Sequence, residues 1–154
     1  MKKVLFTAMS ILAVAAMMMF VSCSKDDTKK TDDTQEQTEK EFDINDYTVN
    51  EAMAGATSWG LIGPAQAGGW DTDTDLEKVS DDPETWKGTI ELAADKFKFR
   101  GNDEWGNYDL GGGTIEIGKP IVLSKGGGDM ALAEAGTYEV ILYPQHMVFF
   151  LNKK

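Results

Sequence analysis

Cysteine, histidine and basic residues are all scarce in this chain. Of its 154 residues one is a cysteine, Cys23, and one a histidine, His146. A single thiol has no partner within the chain, so a disulfide framework is excluded. His146 has no serine or cysteine motif with which to form a nucleophile pair, and is expected to be structural. Lys and Arg number 15 against 26 Asp and Glu, a net charge of −11. Nucleic acid and other polyanionic ligands need a basic face, so the composition argues against both. Long apolar runs are missing, with one exception at the N-terminus. Segments that could be helical are confined to 47–56 and 130–135, both short, and there is no clear internal repeat.

What is present begins with that N-terminal run. Met1-Lys2-Lys3 is basic, residues 4–20 are apolar with few interruptions, and Val21-Ser22-Cys23 leads into the polar Ser24-Lys25-Asp26-Asp27. A basic start, an apolar core and a small residue at the boundary make an export signal. The competing reading is a transmembrane helix. It fits less well, because the run is on the short side of the roughly 20 residues that span a bilayer. The junction at Cys23 resembles the lipobox of bacterial lipoproteins, with Phe20 in place of the usual Leu. That resemblance implies removal of residues 1–22 and acylation of Cys23 and of the new N-terminus with fatty acids such as palmitate. Each buried methylene contributes about 0.8 kcal/mol, so several chains anchor stably where one is marginal. Ser24-Lys25-Asp26-Asp27 resembles the lysine-plus-acids address that sends lipoproteins of glycan-scavenging Gram-negative bacteria to the exterior of the outer membrane. Ordinary linker charges are the plainer reading of the same residues.

Residues 23–46 are expected to form a lipid-anchored, disordered tether. Lys, Asp, Thr, Gln and Glu dominate it, and it has almost nothing apolar before Phe42 to offset its ordering entropy. Its acids repel one another and extend it. The folded domain is expected at 47–154, large enough for one small core. Its patterns are those of short strands. Residues 57–63 read as a strand broken by glycines, and 64–75 as a loop. Trp86, Ile90 and Leu92 share one side of a strand at 85–92. In Lys96-Phe97-Lys98-Phe99-Arg100 the rings take one face and the cations the other. Thr114-Ile115-Glu116-Ile117 alternates again, and Pro120 to Leu123 is a short apolar run. Residues 137–143 and 146–151 make a closing hairpin turned at Pro144-Gln145. Many short strands with Gly-rich turns indicate an all-β sandwich.

Four tryptophans divide by context. Trp59 and Trp86 lie in strands beside apolar residues and are expected in the core. Trp70 ends a Gly-rich loop before a run of acids, and Trp105 sits in the polar, Gly-rich stretch 101–108. Large rings in such loops are more often contact surfaces than core. The alternative is that Trp105 and Tyr108 fold back over the sheet edge. A pyranose presents a face of C–H groups to an indole and a rim of hydroxyls to polar side chains. Trp70 and Trp105 are therefore the candidate rings, with Tyr108 as a substitute. Lys98, Arg100, Asn102 and Asn107 are the candidate polar contacts.

Residues 59–76, from Trp59-Gly60-Leu61-Ile62-Gly63 to Gly69-Trp70-Asp71-Thr72-Asp73-Thr74-Asp75-Leu76, resemble the opening of a domain in the SusE/SusF family of outer-membrane starch-binding lipoproteins. Phe97-Lys98-Phe99-Arg100-Gly101-Asn102-Asp103-Glu104-Trp105 resembles that family's second signature, and Gly126 to Met130 followed by Ala135 to Val140 is a looser third match. The resemblance implies an immunoglobulin-like β-sandwich that binds glycan, with starch or α-glucan the first expectation, beside neighbouring outer-membrane glycan-uptake proteins. It implies no cofactor and no catalysis. Family members usually carry several modules, whereas this chain has one, and its Gly106-Asn107-Tyr108 continuation departs from the family's pattern.

Asp71, Asp73 and Asp75 begin like a calcium loop, but Leu76 stands where that loop needs Gly and the twelfth position carries no acid. A solvated acidic segment is the expectation. Asp103-Glu104 are adjacent and lack the separation across a glycosidic bond that hydrolysis requires. The rival to glycan binding is a module that docks on an outer-membrane transporter or adhesin with the same exposed rings. A hydrolase is the third and least favoured reading.

Overall fold

The computed structural model describes residues 41–154. The signal, Cys23, the Ser24–Asp27 address and most of the tether lie outside the described residues. Phe42 lies within them and packs against Phe150, with ring centroids 4.6 Å apart at 88°, and against Tyr47 and Tyr143. Packing against the domain thus begins ahead of the expected start at Tyr47.

The described residues form an all-β, immunoglobulin-like sandwich of two antiparallel sheets. The strands are β1 (Trp59–Gly63), β2 (Gly69–Asp75), β3 (Glu77–Asp81), β4 (Glu84–Leu92), β5 (Lys96–Gly101) and β6 (Asp109–Gly111). They continue with β7 (Ile121–Val122), β8 (Ser124–Lys125), β9 (Met130–Ala131), β10 (Gly136–Tyr143) and β11 (Val148–Lys153). The first sheet has the order β2-β1-β5-β6-β8, with β9 paired to β5. The second has the order β3-β4-β10-β11-β7. Leu76 alone joins β2 to β3 and carries the chain between sheets; its amide donates to the Trp59 carbonyl at 2.8 Å.

Side-chain alternation fills the space between the sheets. Tyr138, Val140 and Leu142 of β10 point inward, as do Phe149 and Leu151 of β11. Phe97 and Phe99 of β5 meet Phe149 from the opposite sheet edge-to-face, with centroids at 6.1 Å and 5.0 Å. This cluster ties one sheet to the other. Trp59 is fully buried, and Trp86 is buried with its Nε1 donating to Glu84 Oε1 at 2.9 Å.

Several sequence expectations are corrected. Residues 64–75 are not all loop, since 69–75 form β2. This is an edge strand whose Trp-Asp-Thr-Asp-Thr-Asp run has too little apolar character to announce itself, and charge on an edge discourages pairing with other chains. Thr114 to Ile117 alternates but pairs with no strand. Gly112 and Gly113 precede it at φ 78° and 87° and turn it off the sheet edge; a Cβ on Gly113 would lie 2.6 Å from the Val122 carbonyl. Of the two possible helices, 130–135 opens instead with β9, and 47–56 holds only the 3-10 turn Glu51–Met53, which buries Met53. The closing hairpin has a longer turn than expected, with Met147 at φ 52° and β11 starting at Val148.

Candidate functional site

The outer face of the first sheet carries the candidate site. Strand β5 turns Phe97 and Phe99 inward, so Lys98 and Arg100 must point outward. Arg100 lies across from Gly60 of β1 and Asp109 of β6. Beyond Gly60, Asp73 leans in from β2. A Cβ on Gly60 would sit 2.7 Å from the Asp73 Cβ, so glycine here leaves the lane that Asp73 occupies. Asp73 takes Arg100 in a two-point grip: Nη2 donates to Oδ1, and Nε to Oδ2 at 3.1 Å. Lys98 Nζ donates to Asp109 Oδ2 at 2.9 Å. Each outward cation thus has its own carboxylate.

These groups are outward but not solvated. The side chains of Arg100 and Asp73 are 8% and 2% exposed, and those of Lys98 and Asp109 11% and 12%. Lys98 and Arg100, two of the candidate polar contacts, are thus covered rather than bathed in solvent. Their cover is the β5–β6 loop. The Trp105 ring lies over both, with Arg100 Cζ at 4.9 Å and Lys98 Nζ at 5.6 Å from its centroid. Burial pushes the Asp73 carboxyl above its usual value, and the Arg100 hydrogen bond pulls it only partly back. Ile62, in register with Lys98, is fully buried yet stands outside the core cluster.

The loop is built to present Trp105. Asn102 and Asp103 both take left-handed backbone at φ 56°, a conformation that Asn and Asp tolerate through local hydrogen bonds. Asn102 Oδ1 accepts from Thr57 N at 2.7 Å, Thr57 Oγ1 at 3.0 Å and Ser58 N at 3.3 Å. That carboxamide oxygen is therefore a latch between the loop and the chain entering β1 rather than a free contact. Tyr108 turns under the loop, edge-on to Trp59 at 6.3 Å, and packs against the core. This is the folded-back alternative weighed for it. Asn107 is exposed at the loop tip.

Trp70 reaches the same place from the start of β2. Its centroid lies 6.2 Å from that of Trp105, with the planes at 49°. The rings remain 40% and 48% exposed. Gln66, which sequence reasoning passed over, sets the turn that carries Trp70. It is buried, donates to the Gly69 and Thr72 carbonyls at 2.9 Å and 2.7 Å, and accepts from Gly68 N at 2.7 Å and Thr74 Oγ1 at 3.0 Å. Asp73 and Asp109 were also missed as site residues. The only sequence signal for Asp73 was its place in an alternating acidic run, and for Asp109 there was none.

The structure thus brings Trp70, Trp105, Lys98 and Arg100 together, leaves Asn107 at the rim, and assigns Asn102 and Tyr108 to holding the loop. Asp71, Asp103 and Glu104 are exposed. With Asp73 engaged by Arg100, the Asp71–Asp75 run does not converge. Among the described residues no group of three or more His, Cys, Asp or Glu side chains is placed to hold a metal ion. An open depression of about 600 Å³ lies elsewhere, lined by Pro64 to Ala67, Glu91 to Ala93, Ala135 and Gly136. Glu91 is its one ionisable side chain.

Comparisons with protein-family models, with curated proteins and with solved structures find no match to this chain. The functional reading therefore stands on the motifs and on this geometry.

Proposed function

We propose that the chain is a cell-surface lipoprotein whose sandwich binds glycan through Trp70 and Trp105 and does not hydrolyse it, with starch or another α-glucan as first candidate. The observation that carries the reading is the pair of half-exposed indoles, 6.2 Å apart and inclined at 49°. Two inclined flat surfaces suit a chain of sugar rings that curves, as α-1,4-glucan does, because consecutive pyranose faces turn with the coil. Asn107 and the acids Asp71, Asp103 and Glu104 supply groups for hydroxyls at the rim. The surroundings favour sugar over protein docking: the two rings stand among polar and acidic residues rather than in a broad apolar patch. Anchoring through Cys23 and proximity to glycan-uptake proteins of the outer membrane belong to the same proposal. A small open site binds weakly, and many copies on one membrane offset this through effective concentration.

The test is calorimetric titration of the full-length protein, held in a detergent without sugar headgroups, with maltoheptaose. Binding by the wild type and its loss in Trp105→Ala, with little change in melting temperature, is the expected result. No heat of binding in the wild type across a panel of soluble glucans would overturn the proposal and favour the docking module.

A further inference from the structure

We infer that Asp73 and Asp109 are positioning residues for the aromatic platform, and that by neutralising Arg100 and Lys98 they also bar anionic glycans from it. The inference rests on the glycan-binding reading above. Its grounds are separate, in the charge arrangement beneath Trp105.

A strand face bearing Lys98 and Arg100 has the composition of an anion site. The geometry removes that capacity. Asp73 engages two nitrogens of Arg100, and Asp109 takes the ammonium of Lys98. All four side chains are nearly or fully covered. No net positive charge is left in the floor, while the surface nearby carries the exposed acids Asp71, Asp103 and Glu104. A sulfate or carboxylate on a sugar would meet like charge above and neutralised cations below.

The same carboxylates hold the floor still. An arginine or lysine side chain alone is mobile, and a ring stacked on it inherits that freedom. Held at one end by its carboxylate, each cation offers Trp105 a fixed support, 4.9 Å and 5.6 Å from the ring centroid. Trp70, fixed by the Gln66 turn, needs a partner ring at constant angle for the two to act as one surface. The acids therefore act on the ligand only through the cations and the indole.

Two readouts separate this role from simple structural support. The first needs no ligand. Two indoles this close should give an exciton couplet in far-ultraviolet circular dichroism, which Trp70→Phe and Trp105→Phe identify by removing it. In Asp73→Asn/Asp109→Asn the couplet is expected to fall by about half as Trp105 loses its fixed angle. The second readout is charge selectivity. Full-length wild type is expected to ignore dextran sulfate, and the double variant to bind it in a manner that weakens as salt rises.

Should that variant fail to fold, Asp73→Asn/Arg100→Gln removes both charges of one pair and leaves neither unpaired. It should keep the fold, lose the couplet comparably and bind maltoheptaose about tenfold more weakly. A couplet of wild-type strength in the folded variants, or dextran sulfate binding by the wild type, would overturn the inference. If the wild type binds no glucan, the proposed function fails, and the couplet alone then decides whether the acids position the ring.

Discussion

The two faces of strand β5 are built from neighbouring residues by opposite physics. Inward, Phe97 and Phe99 are fully buried and meet Phe149 edge-to-face, so apolar burial and ring contacts hold them. Outward, Lys98 and Arg100 are nearly as well covered, but by carboxylates at their sides and an indole above. The inner face supplies stability whatever the ligand. The outer face gains little from its charges, since a buried ion pair repays its desolvation only when the geometry is good. What it gains is a half-exposed aromatic surface whose angle is set. An outward residue in a strand is thus not the same as a solvated one.

The largest expected effect that distinguishes the faces is on the inner one. Phe97→Ala should lose about 3–5 kcal/mol of stability, because it leaves a cavity between the sheets. Urea denaturation followed by circular dichroism measures it. Asp73→Asn should come next, at about 2 kcal/mol, chiefly from the charge-assisted hydrogen bonds that Arg100 loses, since burial already holds the Asp73 carboxyl above its usual value and offsets much of what its charge contributes. A cost close to zero would mean that Arg100 finds water or another carboxylate, and the two faces would then differ less than the distances imply. Trp105→Ala should cost least, about 1 kcal/mol, because a half-exposed ring on a cation is all that stability loses. Its effect on glycan binding should be the greatest of the three.

Acid titration gives a smaller and subtler distinction. The Asp73 carboxyl is held above its usual value by burial, so the folded protein takes up this proton more readily than the unfolded chain. Its contribution to stability therefore grows as pH falls through that raised value, and is lost as pH rises through it. The exposed Asp81 and the half-buried Glu139 behave oppositely. Hydrogen bonds from Lys78 and Lys154 respectively lower their carboxyls, so their small contributions are present above the ordinary carboxylate range and lost as pH falls. Carboxyl-carbon NMR should show Asp73 titrating above Asp81. Protonating Asp73 also releases its grip on Arg100, so the indole couplet should weaken in the same step. A couplet indifferent to pH through that step would break the link between the ion pair and the ring.

The sequence made the inner face far more legible than the outer one. Alternation in Lys96–Arg100 and in the β10–β11 hairpin identified both strands, because the inward residues there are large and apolar. Strand β2 escaped notice because an edge strand next to a charged face needs no apolar alternation, and Trp70 alone does not announce one. Thr114–Ile117 misled for the converse reason: it alternates, but it pairs with no strand. Trp70 and Trp105 were recognisable as loop-context rings. Their adjacency was not, because it depends on how β2 packs beside β1 and on the turn set by Gln66. The partners of Lys98 and Arg100 were hidden for a similar reason. They come from different strands, and their pairing depends on Gly60 leaving room for Asp73. Asn102 looked like a ligand contact because Asn is a good hydrogen-bonding group. It serves the backbone of Thr57 and Ser58 instead, and its left-handed φ shows why that position suits Asn.

If the chain binds glycan as proposed, one pair of indoles, Trp70 and Trp105, works at the surface while Trp59 and Trp86 only support the fold. The four indole N–H signals of full-length protein in a proton–nitrogen correlation spectrum, assigned by single Trp→Phe variants, test this division directly during titration with maltoheptaose. The signals of Trp70 and Trp105 should shift together along one binding curve, while those of Trp59 and Trp86 stay in place. Four unmoved signals, or movement confined to Trp59 or Trp86, would contradict it.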